Sequence, residues 1–293
     1  MEALRTILSV PGVRPSMIEK AKDLPADAIM LDLEDSVPPV EKMRAREIVR
    51  EALPSLLETR KTVMVRINGL DSGLMLDDLR AVAPLMPHGI SLPKIESAAD
   101  MERADALMAQ AEREAGLVVG SLRALVWIET AKGVVNAYEI CCASPRILAA
   151  LTGADDFTMD MGIDRTKSGE ELFYMRSAIV VAARAANVMA IDVAFPDFQD
   201  DASLIAEARL GRQLGYNGKY VIHPRQIEPV NRIFTPSPEE VAEATEVVAA
   251  FAEAVAQGLG AISVKGRMID IAAAERARKV VALARAIAQK EGA

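Results

Sequence analysis

Short apolar runs alternate along most of the chain with stretches in which apolar residues recur every three or four positions. The runs fall at residues 5–10, 28–33, 62–67, 89–92, 124–128, 147–151, 188–191 and 219–222. Bounded by glycine, proline or polar turn residues, such runs read as buried strands. The 3.6-period stretches at 16–22, 40–53, 76–83, 98–115, 131–143, 169–186 and 202–214 read as amphipathic helices. Parallel neighbours need a crossover, so strict strand–helix alternation predicts a parallel sheet. Eight such units within residues 1–235 predict an α/β fold of the (β/α)8 TIM-barrel type. A doubly wound sheet is the alternative, but the G-x-G-x-x-G turn expected after its first strand is absent.

The pattern changes at Thr235-Pro-Ser-Pro238. A long Ala/Glu/Val helix is expected from Pro238 to about 257, then a short strand at 262–264, a turn, and a last helix over 272–289. Residues 236–293 thus read as a small helical extension, expected to pack on the barrel or on a neighbouring subunit.

Within the barrel pattern, the runs at 124–128 and 147–151 each lead into acid, Glu129 after the first and the pair Asp155/Asp156 after the second. In a parallel sheet both runs point the same way, which brings these carboxylates to one edge. The other strand ends supply Ser9, Asp32, Glu34, Asp35, Arg66, Asn68, Lys94, Glu96, Asp192 and His223. Any one of these residues is explained as a helix cap or a solvated loop charge. As a set they form a rim where clustered acids must bind metal or stay partly protonated. Carboxylates without paired Cys or His point to a hard cation, Mg²⁺ with Mn²⁺ as the alternative. With His88 and His223 the only histidines, a three-histidine zinc site is excluded. A Schiff base on Lys94 is the competing enzymatic reading, and the neighbouring acids oppose it by favouring the charged amine. His223 is divided between a local hydrogen bond and catalysis.

Composition narrows the class further. The chain carries 34 basic and 42 acidic residues, a net charge of −8, which argues against a nucleic-acid partner. No apolar run approaches the roughly 20 residues that span a bilayer. The opening residues lack a secretory leader pattern, so the expected location is the cytoplasm. Cys141 and Cys142 are adjacent, a spacing that suits neither a disulfide framework nor a structural zinc site.

Nine segments, in order, resemble one known family: Ser9-Val-Pro-Gly-Val-Arg-Pro, Leu31-Asp-Leu-Glu-Asp-Ser-Val-Pro, Val65-Arg-Ile-Asn-Gly-Leu, Leu92-Pro-Lys-Ile-Glu-Ser-Ala, Ile128-Glu-Thr-Ala-Lys-Gly, Gly153-Ala-Asp-Asp-Phe, Tyr174-Met-Arg-Ser, Gly218-Lys-Tyr-Val-Ile-His-Pro and Gly266-Arg-Met-Ile-Asp. They are similar to the HpcH/HpaI aldolase superfamily, in its citrate lyase β-subunit-like branch, which includes malyl-CoA and citramalyl-CoA lyases. The resemblance implies a Mg²⁺-dependent carbon–carbon lyase acting on a CoA thioester, built as a homotrimer or a dimer of trimers. It implies Glu129 and Asp156 as metal ligands, with Glu34 and Asp35 holding waters around the metal and Asp155 behind them or capping a helix. Arg66 then binds the 2-oxo acid's carboxylate and oxyanion. Ser9, Arg14 and Lys94 lie along the thioester arm, Arg14 as a phosphate contact. Asp270 becomes the acid that a neighbouring subunit contributes.

Three positions depart from the family pattern: Thr152 stands in place of Phe, Met175 of Ala, and Ala272 of Pro. None removes a ligand, and all bear on the acyl pocket. The expected reaction is cleavage or formation of a short β-hydroxyacyl-CoA such as malyl-CoA or citramalyl-CoA. The alternatives are a citrate lyase β subunit acting on citryl carried by an acyl carrier protein, and a catalytically idle scaffold that keeps the fold.

Overall fold

The computed structural model describes residues 3–292. Eight strands, β1 (Thr6–Pro11), β2 (Ala28–Asp32), β3 (Thr62–Arg66), β4 (Gly89–Leu92), β5 (Ala124–Ile128), β6 (Ile147–Thr152), β7 (Met189–Asp192) and β8 (Gly218–Val221), pair in parallel in sequence order and close, β8 against β1. The chain forms a (β/α)8 barrel. Every residue of β2, β3, β5 and β8 is buried, because a barrel strand is covered by the interior on one face and by helices on the other. The interior is packed with side chains of alternating size, including Ile7, Met30, Met64, Leu125 and Leu151. Above them the Trp127 and Tyr220 rings meet edge to face at 4.9 Å.

Each strand expected from the apolar pattern is present within a residue or two, and the helices differ more. The helix expected over 40–53 runs Lys42–Leu57 with Pro54 inside it. Proline forfeits one backbone donor, but Leu53 and Leu56 on either side are fully buried, and that burial holds the turn together. The helix expected over 131–143 is two, Ala131–Val135 and Ala137–Cys142. They part at Asn136, whose side-chain amide donates to the Glu96 carbonyl at 2.9 Å. Helices Ala154–Met161 and Ile227–Phe234 answer to no expected element.

By contacts the chain divides into Leu4–Asn231 and a unit formed by Arg232–Ala293 with Met1–Ala3, a boundary four residues before the one expected from the Pro/Ser break. The second unit contains helix Pro238–Ala256, an antiparallel hairpin of β9 (Ile262–Val264) and β10 (Arg267–Ile269), and helix Ile271–Glu291. Ser237 and Glu240 form a reciprocal capping box at the first helix. Val247, Phe251, Ile269, Ala274 and Ala277 make this unit's own core. Among the described residues no helix is long and apolar enough to cross a membrane.

Candidate active site

All eight strands deliver their C-terminal ends to one face, so the residues that follow them share a rim. Asp32 and Arg66 are register partners on β2 and β3. Arg66 Nε and Nη2 each donate to the Asp32 carboxylate at 2.7 Å, the two-pronged geometry that only arginine offers. Glu34 and Asp35 carboxylate oxygens lie 3.1 and 3.4 Å from Arg66 Nη1. The guanidinium carbon sits 5.4 Å from the centre of the Trp127 ring. Arg66 is therefore a buried cation whose orientation is fixed before any ligand arrives.

Glu129 follows β5 and is 3% exposed. Its carboxylate accepts from the Lys94 backbone N–H at 2.8 Å and packs directly on Gly153, where a Cβ would stand 2.3 Å from Glu129 Oε2. The glycine is what makes room for the acid. Lys94 has φ +51°, a left-handed conformation that costs a non-glycine residue energy and marks functional strain. That conformation carries its ammonium into the acids, 3.2 Å from Glu34, 3.5 Å from Asp156 and 3.8 Å from Asp35. Against the effect of partial burial, Glu34, Asp35 and Asp156 hold the Lys94 amine above its ordinary value. A Schiff-base nucleophile must be neutral, so this environment opposes that reading.

Asp155 and Asp156 do not end a strand. They occupy the first turn of helix Ala154–Met161, where the helix dipole favours negative charge. Successive helical residues point about 100° apart, and the pair is split accordingly. Asp156 turns toward Lys94, while Asp155, with 72% of its side chain exposed, pairs with Arg165 at 2.8 Å.

The donor set fits a hard divalent cation. Burial, with Asp156 and Glu34 nearby, pushes the Glu129 carboxyl up to about 8. Burial likewise raises Glu34 to about 7, against the pull of Arg66. Glu34 Oε2 is buried, and beyond its ion pair with Arg66 it makes no hydrogen bond. Acids crowded to this degree are stabilised by a cation among them. Among the described residues no three acidic, histidine or cysteine side chains form a ready-made cage. Glu129, Asp156 and Glu34 are the side chains that could hold such a cation, and Mg²⁺ commonly binds through one or two carboxylates with water completing its shell.

Ser9, Arg66, Trp127, Glu129, Asp156 and Tyr220 line a cavity of ≈ 460 Å³. A neighbouring cavity of ≈ 530 Å³ is bordered by Glu34, Asn68, Lys94 and Lys132. Arg14 is exposed, at the start of helix Pro15–Ala21, and is not among the lining residues. Asp270 belongs to the second unit, where it caps helix Ile271–Glu291 by accepting from Ala273 N–H at 2.8 Å. Asp192 is fully buried and clasped by Arg176. His223 Nδ1 accepts locally from Arg225 N–H at 3.2 Å, and its ring stacks on Phe198.

The residues that line this cavity, from Ser9 to Ile222, lie within residues 5–224, which match the family model HpcH/HpaI aldolase/citrate lyase. The chain belongs to this family. It is 42% identical to the citrate lyase subunit beta of Leuconostoc mesenteroides subsp. cremoris, over 96% of this chain and 93% of that one. It is 39% identical to an L-malyl-CoA/beta-methylmalyl-CoA lyase of Cereibacter sphaeroides, over 92% and 91%. Among solved structures it is similar to protein CitE of Mycobacterium tuberculosis in complex with magnesium, acetoacetate and coenzyme A, with TM-score 0.78, 29% identity and coverage of 97% and 98%. The chain is accordingly an enzyme of a lyase family.

Strand-end reasoning passed over four participants. Asp32 stood on the rim without a role, although its register with Arg66 follows from aligning two adjacent strands. Trp127 and Tyr220 lie within strands and reach the cavity from below. Arg165 lies in a loop beyond helix Ala154–Met161 and gives no local signal.

Proposed function

We propose that this protein is a Mg²⁺-dependent lyase that cleaves, or in reverse forms, a short β-hydroxyacyl-CoA such as malyl-CoA or citramalyl-CoA. The observation that carries this reading is the pair Glu129 and Asp156, from consecutive βα units, meeting Arg66 around one cavity. Glu129 and Asp156 would hold the metal, and Glu34 and Asp35 would order the waters beside it. Bound Mg²⁺ supplies Lewis acidity to the hydroxyl and carboxylate oxygens of the substrate. Arg66, fixed by Asp32, binds the carboxylate and stabilises negative charge on the oxygen as it develops, which is usually the largest catalytic contribution. The hydroxyl loses its proton, its oxygen becomes the carbonyl of a 2-oxo acid, and the electrons of the breaking carbon–carbon bond pass to the thioester enolate. One proton added to the enolate carbon completes acetyl-CoA.

Asp270, contributed by a neighbouring subunit, is the proposed donor of that proton. Subunits carrying Asp270→Ala mixed with subunits carrying Arg66→Ala are expected to regain part of the activity that each lacks alone. Stable mixed oligomers without any recovery would assign Asp270 no part in a shared site.

Cleavage of malyl-CoA or citramalyl-CoA by the isolated protein is expected to stop with EDTA and return with Mg²⁺, with acetyl-CoA and the 2-oxo acid identified as products. Activity that survives EDTA and is trapped by borohydride would replace the metal by Lys94. The 42% identity to a citrate lyase subunit beta supports a second carrier, an acyl carrier protein bearing citryl. The same assay with that carrier distinguishes the two.

A further inference from the structure

The proposed chemistry leaves a second guanidinium of the cavity unused. Arg165 lines the same ≈ 460 Å³ space as Arg66, and its side chain is 11% exposed. Nη1 donates to Asp155 at 2.8 Å and Nη2 to the Ala194 carbonyl at 2.5 Å, with Glu207 at 3.7 Å. Behind Glu207 stands Lys219, whose ammonium lies 2.6 Å from Glu207, 3.2 Å from Asp192 and 2.6 Å from the Val193 carbonyl. Arg176 clasps Asp192 through Nε and Nη2 at 2.9 and 2.8 Å. Cations and anions alternate along the line Arg176, Asp192, Lys219, Glu207, Arg165, Asp155. A buried ion ladder of this kind is a weak stabiliser, because desolvation offsets most of the attraction, and its value lies in where it holds a group. The group at its cavity end is Arg165.

Ala194, which anchors Arg165, follows β7, and Arg66 ends β3. In a closed barrel of eight strands in sequence order these are opposite sides of the mouth, with Glu129 after β5 and Asp156 after β6 between them. A guanidinium has five N–H donors, and the two hydrogen bonds of Arg165 engage two. We propose that Arg165 receives a second carboxylate, the end of a carboxymethyl group on the carbinol carbon, while Arg66 takes the carboxylate attached to that carbon directly. Alongside the malyl and citramalyl thioesters that the lyase reading assigns to it, the site then also takes the citryl group given above as the alternative, and it binds the dicarboxylic 2-oxo acid half more tightly than one with hydrogen or methyl in place of the carboxymethyl group. This inference rests on the lyase reading above.

Oxaloacetate and pyruvate differ by that one carboxylate. Titrated into the wild-type protein with Mg²⁺, and followed by calorimetry and by the fluorescence of Trp127, the chain's single tryptophan, oxaloacetate should bind at least ~10-fold more tightly, the scale of one charge-assisted hydrogen bond. In Arg165→Gln the preference should shrink to within about threefold as the second carboxylate loses its partner. Arg165→Lys, which keeps the charge without the fork, should fall between them, and it decides the matter should the glutamine variant fail to fold. Equal binding of the two acids by wild type, or a preference that survives both substitutions, would overturn the assignment. Failure of wild type to bind either acid would instead bring down the lyase reading, and it would be seen before any substitution is made.

Discussion

Glu129→Gln should leave a folded barrel that no longer binds Mg²⁺ and whose kcat is down by about 10³-fold or more. The amide has the size of the carboxyl, and its oxygen can still accept from the Lys94 N–H that Glu129 now engages. Neither the barrel interior nor the contact with Gly153 needs the charge. The cation does, because the proposed protein ligands are only Glu129 and Asp156. A metal that polarises the reacting oxygens lowers the barrier by several kcal/mol, and each 1.36 kcal/mol is a factor of ten in rate. Calorimetric titration of wild type and variant with Mg²⁺, beside thermal melts of both, separates lost metal from lost fold. Tight Mg²⁺ binding by the variant would mean that the acid was chosen wrongly.

Gly153→Ala should cost about 10²-fold in kcat/KM and also lower the melting temperature, because overpacking a buried site is destabilising. Its φ of −104° is open to any residue, so the backbone accepts alanine without strain. The added methyl, however, would stand 2.3 Å from Glu129 Oε2 and 2.5 Å from Glu129 Cβ. Both are far inside van der Waals contact, and Glu129 must move. A shift of about 1 Å in a positioned catalytic group is enough for a loss of that size. Weakened Mg²⁺ affinity should accompany the slower turnover, since the displaced side chain is a proposed ligand. An alanine variant with wild-type rate and metal affinity would show that Glu129 has freedom the packing denies.

The strand-end rule found Glu129, Glu34, Asp35, Arg66 and Lys94 because a barrel converts position along the chain into position on a rim. It brought Asp155 and Asp156 to the rim, where both line the cavity, but as strand-end residues, whereas they belong to a helical first turn that apolar periodicity does not reveal in so short a segment. It was silent on the left-handed backbone of Lys94, which turns the side chain into the acid cluster. Pro54 shows the same limit elsewhere: a local helix-breaking signal yields to two fully buried leucines on either side of it.

The sequence by itself determined eight strand–helix units, which suit a barrel, and the acids that follow their strands, because buried strands and amphipathic helices write their periods locally; closure itself is seen in the pairing of β8 with β1. Tertiary structure alone decided that Asp156 turns to Lys94 while Asp155 turns to Arg165. It also decided that Asp32 orients Arg66, that Gly153 must lack a side chain, and that Arg165 stands across the mouth from Arg66. Each of these depends on side-chain direction or on distance across the barrel, and neither quantity leaves a trace in the order of residues along the chain.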